Sequence, residues 1–232
     1  MTLVTDNWNE YDIDLDLDYW LDASSIAFAE GKIKYTGPNS LNIFSRVIHE
    51  KQYLQHYTNE LLGCKLDWSY DYFRTGVPVG LHHDYDTVDY IEPTTKKIFK
   101  CRIVAGIFIP LSLNSDGDFH TLFYDKVSTI PKKLIWKAGH MRYRDNSIYE
   151  YQSHNNIDKA ILNYHPADTP FYKQGQFNNL KLHSVYTWKV GKAAVFNPAQ
   201  WHSSNWFLKD NNIPTKVSEY KISLIGFGSI DV

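Results

Sequence analysis

The sequence predicts a mainly β protein of α+β character, and three observations carry that prediction. From residue 68 onward, short runs rich in Val, Ile, Tyr, Phe and Trp alternate with Gly, Pro, Asn and Asp clusters. One stretch, residues 41–62, repeats its apolar residues at helical steps. Aromatic residues make up 16% of the chain, with 17 Tyr and 7 Trp, enough to fill a wide core or line a cleft.

Taken in order, residues 11–19 (Tyr-Asp-Ile-Asp-Leu-Asp-Leu-Asp-Tyr) alternate strictly between apolar and acidic. Period-two alternation predicts a half-buried strand with Tyr11, Ile13, Leu15, Leu17 and Tyr19 on one face and four aspartates on the other. That charged face would discourage edge pairing; the glycine turn and ligand spacing of a calcium loop are missing. After Gly37-Pro38-Asn39-Ser40 a helix is predicted over about 41–62, capped by Asn39 or Ser40 and stopped at Gly63. Leu41, Phe44, Val47, Ile48, Leu54, Tyr57 and Leu61 form its core stripe. Strands are predicted at 68–74, 79–85, 98–111, 119–125, 133–137, 184–189, 192–197 and 219–227. The irregular stretch at about 126–182 reads as an insertion between strands, of the kind that forms lids or binding loops. With 232 residues and no low-complexity linker, one domain is expected across 1–232, its N-terminal strand and helix within 1–63.

Composition excludes several function classes. Hydrophobic residues at 43% and charged residues at 22% are globular values. No apolar run approaches the ~18 residues that span a bilayer, and the start lacks a basic-then-apolar leader. Only Cys64 and Cys101 are present, so no disulfide framework or cysteine-built zinc site is expected, and a cytoplasmic location is. The net charge of -2 hides an asymmetry: eight acids and no Lys or Arg precede Lys32, leaving the rest at +6. A mildly basic body suits a small anionic ligand better than a nucleic acid.

Three elements carry chemistry. In Gly80-Leu81-His82-His83-Asp84-Tyr85-Asp86, an extended chain projects His82 and Asp84 together and His83 oppositely. With 10 His and 26 acids, about one H-x-[DE] match arises by chance, so the pair alone says little. Residues 191–205 add an apolar strand, a turn at Asn197-Pro198 and then His202. Two His and one carboxylate on one face of a metal ion leave positions open, the arrangement of non-haem Fe(II) oxygenases. Finally, Lys221 and Ser223 share one face of the C-terminal apolar strand. An inward lysine there is costly without an anion, so it could hold a carboxylate while Ser223 donates a hydrogen bond. Taken singly, each residue has a plainer reading: a strand-end His, a Trp-flanked core His, a lysine that snorkels to solvent.

The ordered set resembles the Fe(II)- and 2-oxoglutarate-dependent dioxygenase superfamily, most closely its prolyl-hydroxylase-like branch. Shared features are H-x-D at His82 and Asp84, the distant His202, and Lys221 followed by x-Ser. Gly76 six residues before the first ligand also matches, as do the apolar strand Arg102-Ile103-Val104-Ala105-Gly106-Ile107-Phe108 and Gly117 leading to Thr121-Leu122-Phe123. The resemblance covers about residues 68–125 and 184–228. It implies a double-stranded β-helix (jelly-roll, cupin-like) with a supporting N-terminal helix and an insertion, one oxygenase-like domain. It also implies Fe(II) on His82, Asp84 and His202, with 2-oxoglutarate and O2 as cosubstrates and Lys221 and Ser223 on the far carboxylate. Where the branch has a tyrosine that helps bind the cosubstrate, this chain has Phe73, and neighbouring Tyr72 is the candidate in its place. No catalytic residue beyond the metal centre is implied. Asp84 is retained, unlike in halogenating members.

Other readings remain open on the residues. A zinc hydrolase also uses two His and a carboxylate, but commonly with the His pair one helical turn apart. A β-helix binding module would need no chemistry at all. Oxidative demethylation of a nucleic-acid base is disfavoured by the modest body charge. Arg74, Tyr85, Trp201 and the insertion are candidates for lining the cleft; peptidyl residues, free amino acids and small metabolites all fit as substrate.

Overall fold

The computed structural model describes residues 8–30, 33–36, 42–82, 84, 87–91, 98–113, 118–126, 134–137, 140–143, 158–165, 177, 180–208 and 220–231. Strands β1 (Trp8–Asp12), β2 (Ile33–Thr36), β3 (Asn42–Arg46), β4 (Asp67–Thr75), β5 (Thr87–Ile91) and β6 (Ile98–Ser112) fill the first half. They are interrupted by helices α1 (Leu17–Ala29) and α2 (Lys51–Leu62). Then come β7 (His120–Lys126), β8 (Leu134–Lys137), β9 (His140–Tyr143), β10 (Leu180–Thr187), β11 (Lys192–Phe196), β12 (Trp201–Ser204) and β13 (Lys221–Asp231).

The larger sheet runs β1-β11-β6-β13-β4-β3-β2, with β5 also on β6, and the smaller runs β10-β7-β12. All these pairings are antiparallel. The two sheets face each other across an aromatic layer, the double-stranded β-helix that the resemblance implies. Among the described residues no helix is long and apolar enough to cross a membrane.

Alternation along the strands sorts side chains into three layers. Trp68, Tyr70 and Tyr72 of β4, Ile107 and Ile109 of β6, and Ile222 and Leu224 of β13 pack under the helices against Trp20, Phe28 and Leu54. The opposite faces of the same strands supply Phe73, Phe108 and Ile225, which meet Phe123, Tyr186 and Phe196 between the sheets. A third cluster of Leu122, Tyr124, Leu180 and Trp201 covers the outer face of the small sheet against Ile161 and Phe177.

Two N-terminal expectations need correction. The alternating strand predicted at 11–19 ends at Asp12, and a helix begins at Leu17. Aspartate is a poor strand residue but a good N-cap: the Asp16 carboxylate accepts the Tyr19 N–H at 3.0 Å. Beyond the acidic run, Trp20, Ser24 and Phe28 recur at four-residue steps and are the buried face of α1. The helix predicted at 41–62 starts only at Lys51, because Asn42–Arg46 pairs with β4 instead. Ile43 and Phe44 are good strand residues, and Phe44 stacks on Phe73 at 4.4 Å, a contact no local spacing encodes. The stop at Gly63 is where expected, with φ 58° in the left-handed region. The proposed caps Asn39 and Ser40 lie outside the described residues.

The strands predicted at 68–74, 98–111, 119–125, 133–137, 192–197 and 219–227 match β4, β6, β7, β8, β11 and β13 within a few residues. The predicted strand 184–189 is the end of β10, which begins inside the expected insertion. Described residues of that stretch also include the β8–β9 hairpin and a 3-10 turn at Lys159–Asn163. Of the predicted strand 79–85, the described residues form an isolated bridge at His82, and 83 and 85 lie outside them.

Close approach is decisive at Gly106, where an added Cβ would come far inside van der Waals contact with the Phe196 ring. Gly106→Ala should therefore cost about 1–3 kcal/mol of stability by overpacking, read as a lowered denaturation midpoint. An unchanged midpoint would contradict this packing.

Candidate metal centre

β11 ends at Phe196 in the large sheet, and the chain crosses to the small sheet through Asn197–Gln200. The turn is local: the Asn197 side chain accepts from Ala199 N at 3.0 Å, and Gln200 N donates to Asn197 O at 3.0 Å. It delivers His202 to the inner face of β12, 3% exposed, ringed by Phe196, Phe123 and Phe108 at 5.2, 5.8 and 6.3 Å.

His82 bridges antiparallel to His202 of β12. His82 N donates to His202 O at 2.9 Å and His202 N to His82 O at 2.8 Å. Ser204 N donates to Val79 O at 3.0 Å, and Asp84 N to Pro198 O at 2.8 Å. A reciprocal pair of this kind puts both side chains on one face, and the His82 and His202 rings lie 4.2 Å apart. Asp84 Oδ2 stands 3.6 Å from His202 Nε2. One ligand atom from each of His82, Asp84 and His202 falls within 4.8 Å of the others. The sequence-predicted trio thus comes together.

The donor set suits a divalent cation. His82 Nδ1 meets Gly80 O at 2.7 Å and His202 Nδ1 meets Gln200 O at 2.8 Å. A carbonyl only accepts, so each Nδ1 carries the proton and each Nε2 the lone pair. Histidine metal ligands are commonly fixed by such second hydrogen bonds. Burial pushes the Asp84 carboxyl up to about 7, which is the penalty that a bound cation removes.

Lys221 and Ser223 lie on the inner face of β13, opposite Thr75 and Phe73 of β4 in register. Lys221 is 1% exposed, and burial pushes its amine down to about 7. Its Nζ lies over the rings of Trp188, Phe207 and Phe119 at 4.1, 5.2 and 5.5 Å. Ser223 Oγ is buried and has no hydrogen-bond partner among the described residues. Phe108 joins the two parts of the site, with Trp188 at 5.5 Å and His202 at 6.3 Å.

Tyr72, a candidate cosubstrate ligand on the sequence, is on the other face of β4. It packs with Trp20 and Phe28, each at 6.4 Å, under α1. Adjacent strand residues point oppositely, so Tyr72 cannot stand in for Phe73, which does face inward. Arg74 shares the helix side, with its guanidinium 4.7 Å from the Phe28 ring, and Trp201 packs on the outer face of the small sheet. Tyr85 and Gly117 lie outside the described residues. Trp188 was not singled out in the sequence, since a lone Trp carries no spacing signal, and Thr121 entered only as part of the Thr121-Leu122-Phe123 match.

Sequence comparison finds no matching family model and no matching curated protein. Structural comparison does find likenesses. The non-heme alpha ketoglutarate dependent carbocyclase SnoK from nogalamycin biosynthesis aligns with TM-score 0.54 and 9% identity, covering 96% of this chain and 79% of that one. A Pseudomonas putida prolyl-4-hydroxylase aligns with TM-score 0.51 and 11% identity, covering 97% and 94%. The epimerase SnoN, solved with Fe3+, alpha ketoglutarate and nogalamycin RO, aligns with TM-score 0.50 and 10% identity, covering 96% and 78%. At such identity the likeness is one of fold.

Because the Asp84 carboxyl must ionise to ligate, Mn(II) affinity should fall by about tenfold per pH unit below 7 and level off above it. Calorimetric titration between pH 5.5 and 8.5 measures this. His82→Ala and His202→Ala should each weaken Mn(II) by more than the ~10–100-fold that loss of an outer hydrogen bond costs. Full metal affinity in either variant would contradict the ligand assignment.

Proposed function

We propose that the chain is a non-haem Fe(II) oxygenase coupling oxidative decarboxylation of 2-oxoglutarate to hydroxylation of an organic substrate. The observation that carries this reading is the convergence of His82, Asp84 and His202 together with a buried Lys221 that, among the described residues, has no carboxylate within ion-pair distance. The fold likeness to oxygenases of this type supports it.

Each residue has a defined task. His82 and His202 would hold a divalent cation through Nε2 and Asp84 through a carboxylate oxygen, a three-residue donor set that leaves coordination capacity for cosubstrate and O2. Bound iron would supply the oxidising chemistry, in which 2-oxoglutarate and O2 become succinate and CO2 with one oxygen atom passing to substrate. Lys221 pairs with the far carboxylate of 2-oxoglutarate, and Ser223 Oγ–H donates to the same group. Phe108, Phe123 and Phe196 keep water from the ligands and leave the imidazoles in a low-dielectric wall. The ammonium and the cation together favour a dianion over a monoanion of similar shape.

We read the chain as one domain across 1–232 with an insertion at about 126–182. Of that insertion, Asp158 accepts from Leu182 N at 2.9 Å, and Trp206 N donates to Tyr164 O at 2.8 Å. A zinc hydrolase would leave the buried Lys221 without use, and a binding module would leave the metal trio without use.

Anaerobic addition of 2-oxoglutarate to the Fe(II)-loaded chain should produce a visible charge-transfer band, and air should then yield succinate. No band, with no succinate across candidate substrates, would sink the reading. Lys221→Ala removes a charge-assisted hydrogen bond and should weaken 2-oxoglutarate by about 10–100-fold, with Fe(II) binding intact.

A further inference from the structure

The cosubstrate reading leaves one physical question: what holds a long, flexible ammonium in place inside an apolar interior. Among the described residues Lys221 has no carboxylate within ion-pair distance. Its neighbours are three aromatic rings, and Trp188 is both the nearest and the type with the strongest attraction for a cation. The indole is itself fixed. Its Nε1–H donates to Thr121 Oγ1 at 2.8 Å in a buried setting, and its backbone N–H donates to Phe119 O at 2.8 Å. Phe108 and Tyr186 pack beside it at 5.5 and 6.5 Å.

We propose that Trp188, anchored by Thr121, is a positioning residue for cosubstrate binding: its ring face holds the Lys221 ammonium charged and aimed before the carboxylate arrives. This rests on the reading that Lys221 takes the far carboxylate of 2-oxoglutarate. The ring occupies one side of Nζ and cannot accept the hydrogen bonds that a carboxylate would, so the two contacts do not compete. Ordering the four-carbon stem in advance removes part of the entropic cost of binding. The proton affinity of Lys221 points the same way, because burial has brought the amine to about 7, where the ring's preference for the cation changes the charged fraction. Among the described residues, His120 and Asp118 are the charged or titratable groups that meet this part of the site. His120 feels Lys221 and has its own proton affinity lowered, by burial first, with Asp118 beside it acting in the opposite direction.

The test is calorimetric titration of 2-oxoglutarate into Fe(II)-loaded protein, without oxygen, from pH 6 to 9. Trp188→Leu should weaken binding about tenfold at pH 7. It should also move the pH at which affinity declines downward by about one unit, because the uncaged amine loses its proton sooner. Trp188→Phe keeps a ring face and should stay close to wild type in both respects. Thr121→Val should shift the same midpoint downward by less, and it carries the test if Trp188→Leu does not fold. Fe(II) affinity should be unchanged throughout. The proposal is overturned if Trp188→Leu, or Thr121→Val in its place, keeps the wild-type midpoint, or if Trp188→Phe is as impaired as Trp188→Leu. Lys221→Ala separates the two levels. If it binds 2-oxoglutarate as tightly as wild type, the cosubstrate reading fails and takes the Trp188 role with it. If it binds weakly while Trp188→Leu does not, only the Trp188 role fails.

Discussion

Two reciprocal backbone hydrogen bonds, His82 to His202 and back, set the geometry on which the candidate centre depends. They form an isolated bridge between His82 and β12. Side-chain direction in an extended chain is fixed by pairing, so this single bridge places both imidazoles on the inner face. Asp84 follows two residues later and is tied by its own N–H to Pro198, in the turn that precedes β12. All three donors are therefore referred to one strand and its approach. The phenylalanines around His202 then have a simple task, to fill the space that the rings leave and exclude water.

The remainder of the interior follows from charge. Burying charge between two apolar sheets is penalised, yet Lys221 lies there and the Asp84 carboxyl stands 3.6 Å from His202. Burial pushes the acid up and the amine down, both to about 7, so the site is near neutrality before any ligand enters. A cation next to the acid and an anion next to the amine remove both penalties at once. On the proposed reading, this electrostatic complementarity would join two features that lie on either side of the Phe108 ring. The same logic gives Trp188 a use beyond packing, since a ring face is the mildest way to hold an ammonium with no carboxylate at hand.

Much of the body was legible in the sequence because its strands are long and bounded. β4, β6 and β13 read as apolar runs between turn residues, and they form the centre of the large sheet. The trio was legible by spacing: i and i+2 share a face, and a turn at Asn197-Pro198 announces a strand change before His202. The N-terminal segment was not. Its Asp-apolar alternation serves a strand for a few residues and then a helix cap at Asp16, and period two cannot mark the change. Residues 42–46 carry helical spacing, but the stacking of Phe44 on Phe73 comes from a partner strand distant in sequence. Tyr72 failed as a candidate ligand for the opposite reason: substituting a neighbour in a strand reverses its direction. Trp188 was invisible because its importance lies in what it faces.

The central claim is that His82, Asp84 and His202 hold one metal ion. A crystal structure of the chain grown with Mn(II) and 2-oxoglutarate tests it most directly. Expected is one ion within about 2.0–2.3 Å of His82 Nε2, His202 Nε2 and an Asp84 oxygen, with the far carboxylate of 2-oxoglutarate on Lys221 Nζ. An ion held elsewhere, or a centre lacking any one of the three, would contradict it.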